Sequence, residues 1–143
     1  MNKLGIAIAV ISASLAAAAA YAIKKYADSD VCITKRLKEL RDDLELDCDL
    51  IEAATEEIPK EIITAADRKY QEVVNDAVDF ATTVFNVYTY LSSDEIDDLT
   101  LEAKRAYVEC ISSIIKNAER YIYAIDAARE DMKQARKSMG IQD

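Results

Sequence analysis

The densest group of chemically capable side chains in this sequence is a run of carboxylates between residues 42 and 57. Its members are Asp42, Asp43, Glu45, Asp47, Asp49, Glu52, Glu56 and Glu57. Closely spaced carboxylates bind divalent cations or basic protein surfaces. The run has neither the glycine turn nor the ligand spacing of an EF-hand loop, and on a helix its members spread over several faces. We therefore interpret it as a solvated acidic surface.

The side chains needed for catalysis are scarce. No histidine occurs in the 143 residues, which removes the commonest general base and the Ser-His and Cys-His nucleophile pairs. We predict no catalytic, cofactor-binding or metal-ligating residue, and therefore no enzyme. The net charge of −9 argues against a nucleic-acid partner, because phosphate binding needs clustered lysine and arginine. Nothing in the sequence indicates a small-molecule substrate.

The three cysteines, Cys32, Cys48 and Cys110, form no CxxC pair. An odd number of widely spaced cysteines predicts inert or buried thiols and a reducing compartment rather than a disulfide framework. One disulfide with a single free thiol is the alternative.

The N-terminal segment from Leu4 to Ile23 contains twenty residues and no charge, between Lys3 and the pair Lys24-Lys25. A helix of that length spans about 30 Å, the thickness of the hydrocarbon core of a bilayer. We therefore predict that residues 1–25 are a membrane anchor that contacts lipid through Leu4 to Ile23. Basic residues are more frequent after the segment than before it, which predicts a cytoplasmic C-terminal region.

Two other interpretations of this segment remain open. Ala20-Tyr21-Ala22 fits the small-x-small rule for signal cleavage, so the chain after Ala22 is a candidate exported, secreted binding module. The segment is also rich enough in alanine to be a helix buried inside a filament, shell or virion. The N-terminal residue of the mature chain separates an anchor from a cleaved signal peptide.

Apolar residues that recur at intervals of three and four predict long helices at about residues 31–57, 60–91 and 94–138. The stripe of the first helix runs through Ile33, Leu37, Leu40, Leu44, Cys48, Ile51, Ala54 and Ile58. Pro59 ends this helix, because proline donates no hydrogen bond and crowds the preceding turn. Short connections between the helices favour antiparallel neighbours.

The third helix has two possible starts, since Ser92 with Glu95 has the form of a capping box and Thr100 is a second candidate cap. Gly140 follows the last turn and suits the C′ position. The predicted apolar stripe runs through Ile96, Leu99, Ala103, Ala106, Cys110 and Ile114, and it resumes as Ala118, Tyr121, Ile125, Ala128, Met132, Ala135 and Met139. At about 66 Å, this helix is longer than the second, so we expect its end to overhang or to pack on another chain.

The second helix carries two adjacent apolar stripes, which make a face wider than one neighbouring helix needs. We predict that the excess forms an assembly face made of Val74, Val78, Phe85 and Tyr88. The alternative is that the first and third helices together cover both stripes and leave a self-contained bundle.

These patterns predict an all-α protein. Its expected architecture is an N-terminal single transmembrane helix, followed over residues 26–143 by an antiparallel three-helix bundle with long, coiled-coil-like helices. The expected function is that of an acidic, membrane-anchored scaffold, tether or adaptor that acts through protein–protein contacts with a partner or a second copy. The alternatives are the exported binding module and the structural subunit described above.

Overall fold

A computed structural model describes residues 29–89 and 91–141, and every regular element in these ranges is helical. This confirms the predicted all-α class. The elements are α1 (Asp30–Ala53) with a 3₁₀ turn (Ala54–Glu57), α2 (Ala65–Val84) with a π-helical turn (Phe85–Thr89), α3 (Ser93–Asp98) and α4 (Leu101–Ser138). None of these described helices is long and apolar enough to cross a membrane. The predicted anchor, residues 1–25, lies outside the described residues.

A capping box formed by Thr64 and Asp67 determines where α2 begins. The Thr64 hydroxyl accepts a hydrogen bond from the Asp67 amide at 3.0 Å, and Asp67 Oδ2 accepts one from the Thr64 amide at 3.0 Å. These two bonds satisfy amides that have no partner inside the helix. The helix therefore begins at Ala65, five residues after the start that the apolar pattern indicates.

The predicted third helix is divided into α3 and α4, and both candidate caps are used. Ser92 and Glu95 form a reciprocal capping box at the start of α3. Leu99 is extended, with φ −69° and ψ 149°, and Thr100 then accepts a hydrogen bond from the Ala103 amide at 3.2 Å. The break changes the rotational phase of the helix that follows.

The C-terminus of α4 is closed by a Schellman motif around Gly140. The Gly140 amide donates to the Lys137 carbonyl at 3.0 Å, and the Ile141 amide donates to the Arg136 carbonyl at 2.9 Å. Gly140 has φ +74°, a left-handed conformation that costs glycine little because it has no Cβ atom. The predicted C′ role of this glycine is confirmed.

The directions of the long helices follow from three ion pairs distant in sequence. Asp30 at the start of α1 contacts Lys104 near the start of α4, and Glu57 beyond the end of α1 contacts Arg129. Helices α1 and α4 are therefore parallel. Asp67 at the start of α2 pairs with Arg136 at the end of α4, so α2 runs antiparallel to both.

The end of α4 does not overhang in the way that its length suggests. With 38 residues, α4 is about 57 Å long. Its last turns are covered by the loop before α2, because Arg136 donates to the Glu61 carbonyl at 3.1 Å and pairs with Asp67. These contacts lie within the chain, and a contact of this end with another chain stays a prediction.

The core lies between α1, α2 and α4, with Ile96 of α3 covering part of it. The predicted stripe of α1 is buried from Ile33 to Ala54, whereas Ile58, beyond the 3₁₀ turn, is only half-buried. In α4, Ile125, Ala128 and Met132 of the predicted stripe are buried, but Cys110 is exposed and Ile111 is buried in its place. The break at Leu99 causes this difference, because a stripe continued from Ile96 has the wrong phase in α4.

Burial predicts different reactivities for the cysteines. Cys48 is buried, its Sγ atom lies 3.8 Å from the Ala81 carbonyl oxygen, and burial followed by nearby carboxylates raises its pKa to about 11. Cys110 is exposed. In a DTNB reaction at pH 8, we expect Cys48 to react at least about 100-fold more slowly than Cys110, because less thiolate is present and access is blocked. Cys32 is half-exposed, so Cys110→Ser in a Cys32→Ser background should remove the fast phase, whereas a fast phase that requires Cys48 would contradict its burial.

Candidate functional site

A metal centre is not formed by the part of the chain that the structure describes, since no three His, Cys, Asp or Glu side chains there are grouped to hold an ion. The notable polar groups of residues 29–89 and 91–141 instead join helices or lie on the outer surface. Their geometry determines which faces of the bundle are already engaged and which remain available for a partner.

The most enclosed polar contact joins the start of α2 to the end of α4. Asp67 is 0% exposed, and its two carboxylate oxygens accept hydrogen bonds from Arg136 Nε at 2.9 Å and Nη2 at 3.0 Å. The Ile63 and Thr64 amides donate to the same carboxylate. Arg136 and these amides hold the pKa of Asp67 well below its usual range despite its burial. A buried carboxylate with this many donors is compensated, so its role is to fix position.

A second polar cluster lies one turn further along α2. The Tyr70 hydroxyl donates to the Ala54 carbonyl at 3.0 Å, and the Arg129 guanidinium lies over the Tyr70 ring, 5.9 Å from its centroid. Arg129 also pairs with Glu57 at 2.6 Å and with Asp126 at 2.7 Å. Burial raises the pKa of Tyr70, which makes the phenol unsuitable as a base near neutral pH. This cluster joins the 3₁₀ turn, α2 and α4.

The opposite end of the bundle contains a buried lysine. Lys104 is 3% exposed, and its Nζ atom lies 2.9 Å from Asp30 Oδ1. The Asp30 side chain is 62% exposed, so one end of the ion pair is hydrated and the other is enclosed. The pair fixes the first turn of α1, immediately after the residues that the structure does not describe, against the first turn of α4.

The predicted assembly face on α2 is mostly occupied within the chain. Val74 is 0% exposed and belongs to the core, and Val78 and Phe85 are half-buried against that core. The side chain of Tyr88 is outside the described residues. A partner on α2 would therefore meet Val78 and Phe85 but not Val74. Self-association stays a prediction, because a single chain does not test it.

Two leucines on α1 are exposed. We define the outer face of α1 as Leu46 and Leu50 together with the flanking carboxylates Asp43 and Asp49. Leu46 is 59% exposed and Leu50 is 52% exposed, and the two lie one turn apart on the side opposite the core. The ion pairs between described residues use the carboxylates of Asp30, Asp42, Glu57, Asp67, Asp97 and Asp126. Neither Asp43 nor Asp49 takes part in any of these pairs.

Carboxylates from two helices crowd together at the edge of this outer face. Asp47 is half-buried, and its pKa is raised to about 6 by burial, then by Glu119 of α4 and then by Asp43. Nearby on α4, Tyr123 is 77% exposed. Lys116 and Arg120 line the same surface cavity as Glu119 and Tyr123, so this part of α4 carries charges of both signs beside an exposed aromatic ring.

The sequence signals for these sites were of unequal strength. The carboxylate run was interpreted as a solvated surface, and the exposure of Asp43, Glu45 and Asp49 agrees with that interpretation. The exposed leucines were detectable, because Leu46 and Leu50 lie off the apolar stripe of α1. The buried Lys104 was not, because the stripe continued from Ile96 assigns that region of α4 the wrong phase.

Comparisons with known proteins supply no relative: no protein-family model, curated protein or solved structure matches this chain. The functional argument therefore depends on the residues and on the geometry described above.

Arg136→Lys tests the contact of the Arg136 guanidinium with both carboxylate oxygens of Asp67. Arg136→Lys keeps the positive charge but loses one of the two parallel hydrogen bonds to Asp67, because an ammonium group cannot match the carboxylate in this way. We expect the free energy of unfolding to fall by about 1–2 kcal/mol in denaturant titrations followed by circular dichroism. Arg120→Lys, at an exposed position of α4, is the control and should change it by less than about 0.5 kcal/mol. Equal effects would contradict the assigned geometry.

The raised pKa of Asp47 predicts how the stability of the fold depends on pH. The folded-state pKa of about 6 lies above the unfolded value, so the unfolded chain loses this proton first and stability falls as pH rises between the two values. Asp47→Asn should therefore stabilise the protein at pH 8 by about 1 kcal/mol, a value limited by solvent screening at a half-buried group. The gain should vanish near pH 4.

Thermal unfolding of wild type and variant at both pH values measures this difference. Glu72→Gln, an exposed carboxylate on α2, is the control and should give no gain that depends on pH. A constant gain for Asp47→Asn at pH 4 and pH 8 would show that crowded charge is not its cause.

Proposed function

We propose that this chain is a single-pass, membrane-anchored helical scaffold, tether or adaptor that acts through protein–protein contacts. The observation that carries the proposal is the twenty-residue uncharged segment from Leu4 to Ile23, followed within a few residues by a packed helical bundle that begins at Asp30. The excess of lysine and arginine after the segment favours a cytoplasmic bundle.

The contacts at the start of α1 support a tethering role. Asp30 pairs with the buried Lys104, so this ion pair fixes the first turn of α1 directly to α4, the longest described helix. At the far end, Asp67 and Arg136 fix the same helix to α2. Because ion pairs fix both ends of the bundle, the bundle holds its outer surface at a constant position relative to its attachment point. A tether requires this rigidity.

An exported binding module is the second candidate, and Ala20-Tyr21-Ala22 favours it. Mass spectrometry of the purified mature chain distinguishes the two. A chain that begins with Met1 or Asn2 retains the anchor, and a chain that begins at Ile23 has lost it.

Membrane extraction tests the proposed function. The wild-type protein should remain in the membrane pellet after carbonate treatment and should be released by detergent. Val10→Arg with Ile11→Arg should move it to the soluble fraction, because each arginine at the centre of a spanning helix opposes insertion by about 2.5–3.5 kcal/mol. Its bundle should remain helical by circular dichroism.

Leu50→Ser is the matched control, since it removes an exposed apolar side chain from the bundle and leaves the segment intact. It should stay in the pellet. Release of the wild-type protein by carbonate alone would overturn the proposal.

A further inference from the structure

The outer face of α1 combines exposed apolar groups with carboxylates that take part in no ion pair between described residues. Leu46 and Leu50 are more than half exposed and adjacent on the helix surface. Single exposed leucines are common on soluble proteins, but here two lie together between Asp43 and Asp49. A surface with an apolar centre and a charged rim is typical of a docking site for another protein.

The position of the carboxylates within α1 adds a second argument. Asp47, Asp49 and Glu52 lie in the last turns of α1, where the helix dipole is negative, and the last turn contains no basic residue. Each carboxylate there opposes the dipole rather than complementing it. A cation brought by a partner would reduce this repulsion, and it would also offset the like-charge repulsion that Glu119 and Asp43 exert on Asp47.

We propose that the outer face of α1 docks a cationic amphipathic helix of a partner protein. The apolar side of that helix would cover Leu46 and Leu50, and its lysines or arginines would pair with Asp43 and Asp49. This inference rests on the proposed function and names the surface through which the scaffold acts. The acidic charge of the face disfavours anionic lipid as the occupant.

The chain supplies matched controls for the test. Glu72 and Asp76 are exposed carboxylates on a different helix, α2. Replacing them with glutamine and asparagine changes the net charge by the same amount as Asp43→Asn with Asp49→Asn. For the leucines, Val31→Ser with Val87→Ser removes comparably exposed apolar side chains elsewhere, since Val31 is 77% and Val87 is 59% exposed.

Binding is measured with the full chain in phosphatidylcholine nanodiscs. The probe is a fluorescent 18-residue synthetic peptide made of leucine and lysine, with leucines at helical spacing, and empty nanodiscs give the background. We expect Leu46→Ser with Leu50→Ser, and separately Asp43→Asn with Asp49→Asn, to weaken binding at least about tenfold. Each control pair should change it less than about twofold, and all variants should retain the helical circular dichroism of the wild type.

Two outcomes overturn the inference. The first is wild-type binding no stronger than that of empty nanodiscs. The second is an equal loss of peptide binding for Asp43→Asn with Asp49→Asn and for the carboxylate control pair, which would mean that net charge alone attracts the peptide.

Failure of the proposed function is seen separately, as release of the wild-type chain by carbonate. The peptide assay is then made with the released chain in buffer. Docking and membrane attachment are thus decided by independent results.

Discussion

The buried ion pair between Asp67 and Arg136 determines how the long helices are aligned. Apolar stripes with spacings of three and four fit against one another in several registers, because a shift by seven residues restores a similar pattern. A buried carboxylate does not tolerate such a shift, since without its guanidinium partner it would be an uncompensated charge in the core. With Oδ1 at 2.9 Å from Nε, the pair selects one register for the antiparallel helices α2 and α4.

The other polar contacts extend this alignment along α4. Lys104 binds the first turn of α1 at one end of the helix, and Arg129 binds Glu57 near the other. Each long helix is thus tied to α4 by charged side chains directed inward. The outer face of α1 is not used by these contacts, and for this reason we propose its leucines and carboxylates as the surface for a partner.

Most of the fold was predictable from the sequence, and the exceptions have identifiable causes. The stripe of α1 was predicted correctly from Ile33 to Ala54, because no break interrupts it there, but Ile58 beyond the 3₁₀ turn is only half-buried. The stripe of α4 was wrong in its first turns, because the extended Leu99 resets the helical phase and exposes Cys110. The start of α2 was missed because the apolar pattern was extended back to Lys60, although Thr64 and Asp67 have the local spacing of a capping box. The pairing of Asp67 with Arg136 joins residues distant in sequence, which local spacing cannot reveal.

A double-mutant cycle between Asp67 and Arg136 tests this account most directly. The free energy of unfolding is measured for wild type, Asp67→Asn, Arg136→Met and the double variant. If the pair sets the register, each single variant loses about 3 kcal/mol, because it leaves a buried charge or donor without its partner. The loss of unfolding free energy in the double variant is then smaller than the sum of the two single losses by at least about 2 kcal/mol. Additive losses, with a coupling below about 0.5 kcal/mol, would contradict the central role of this ion pair.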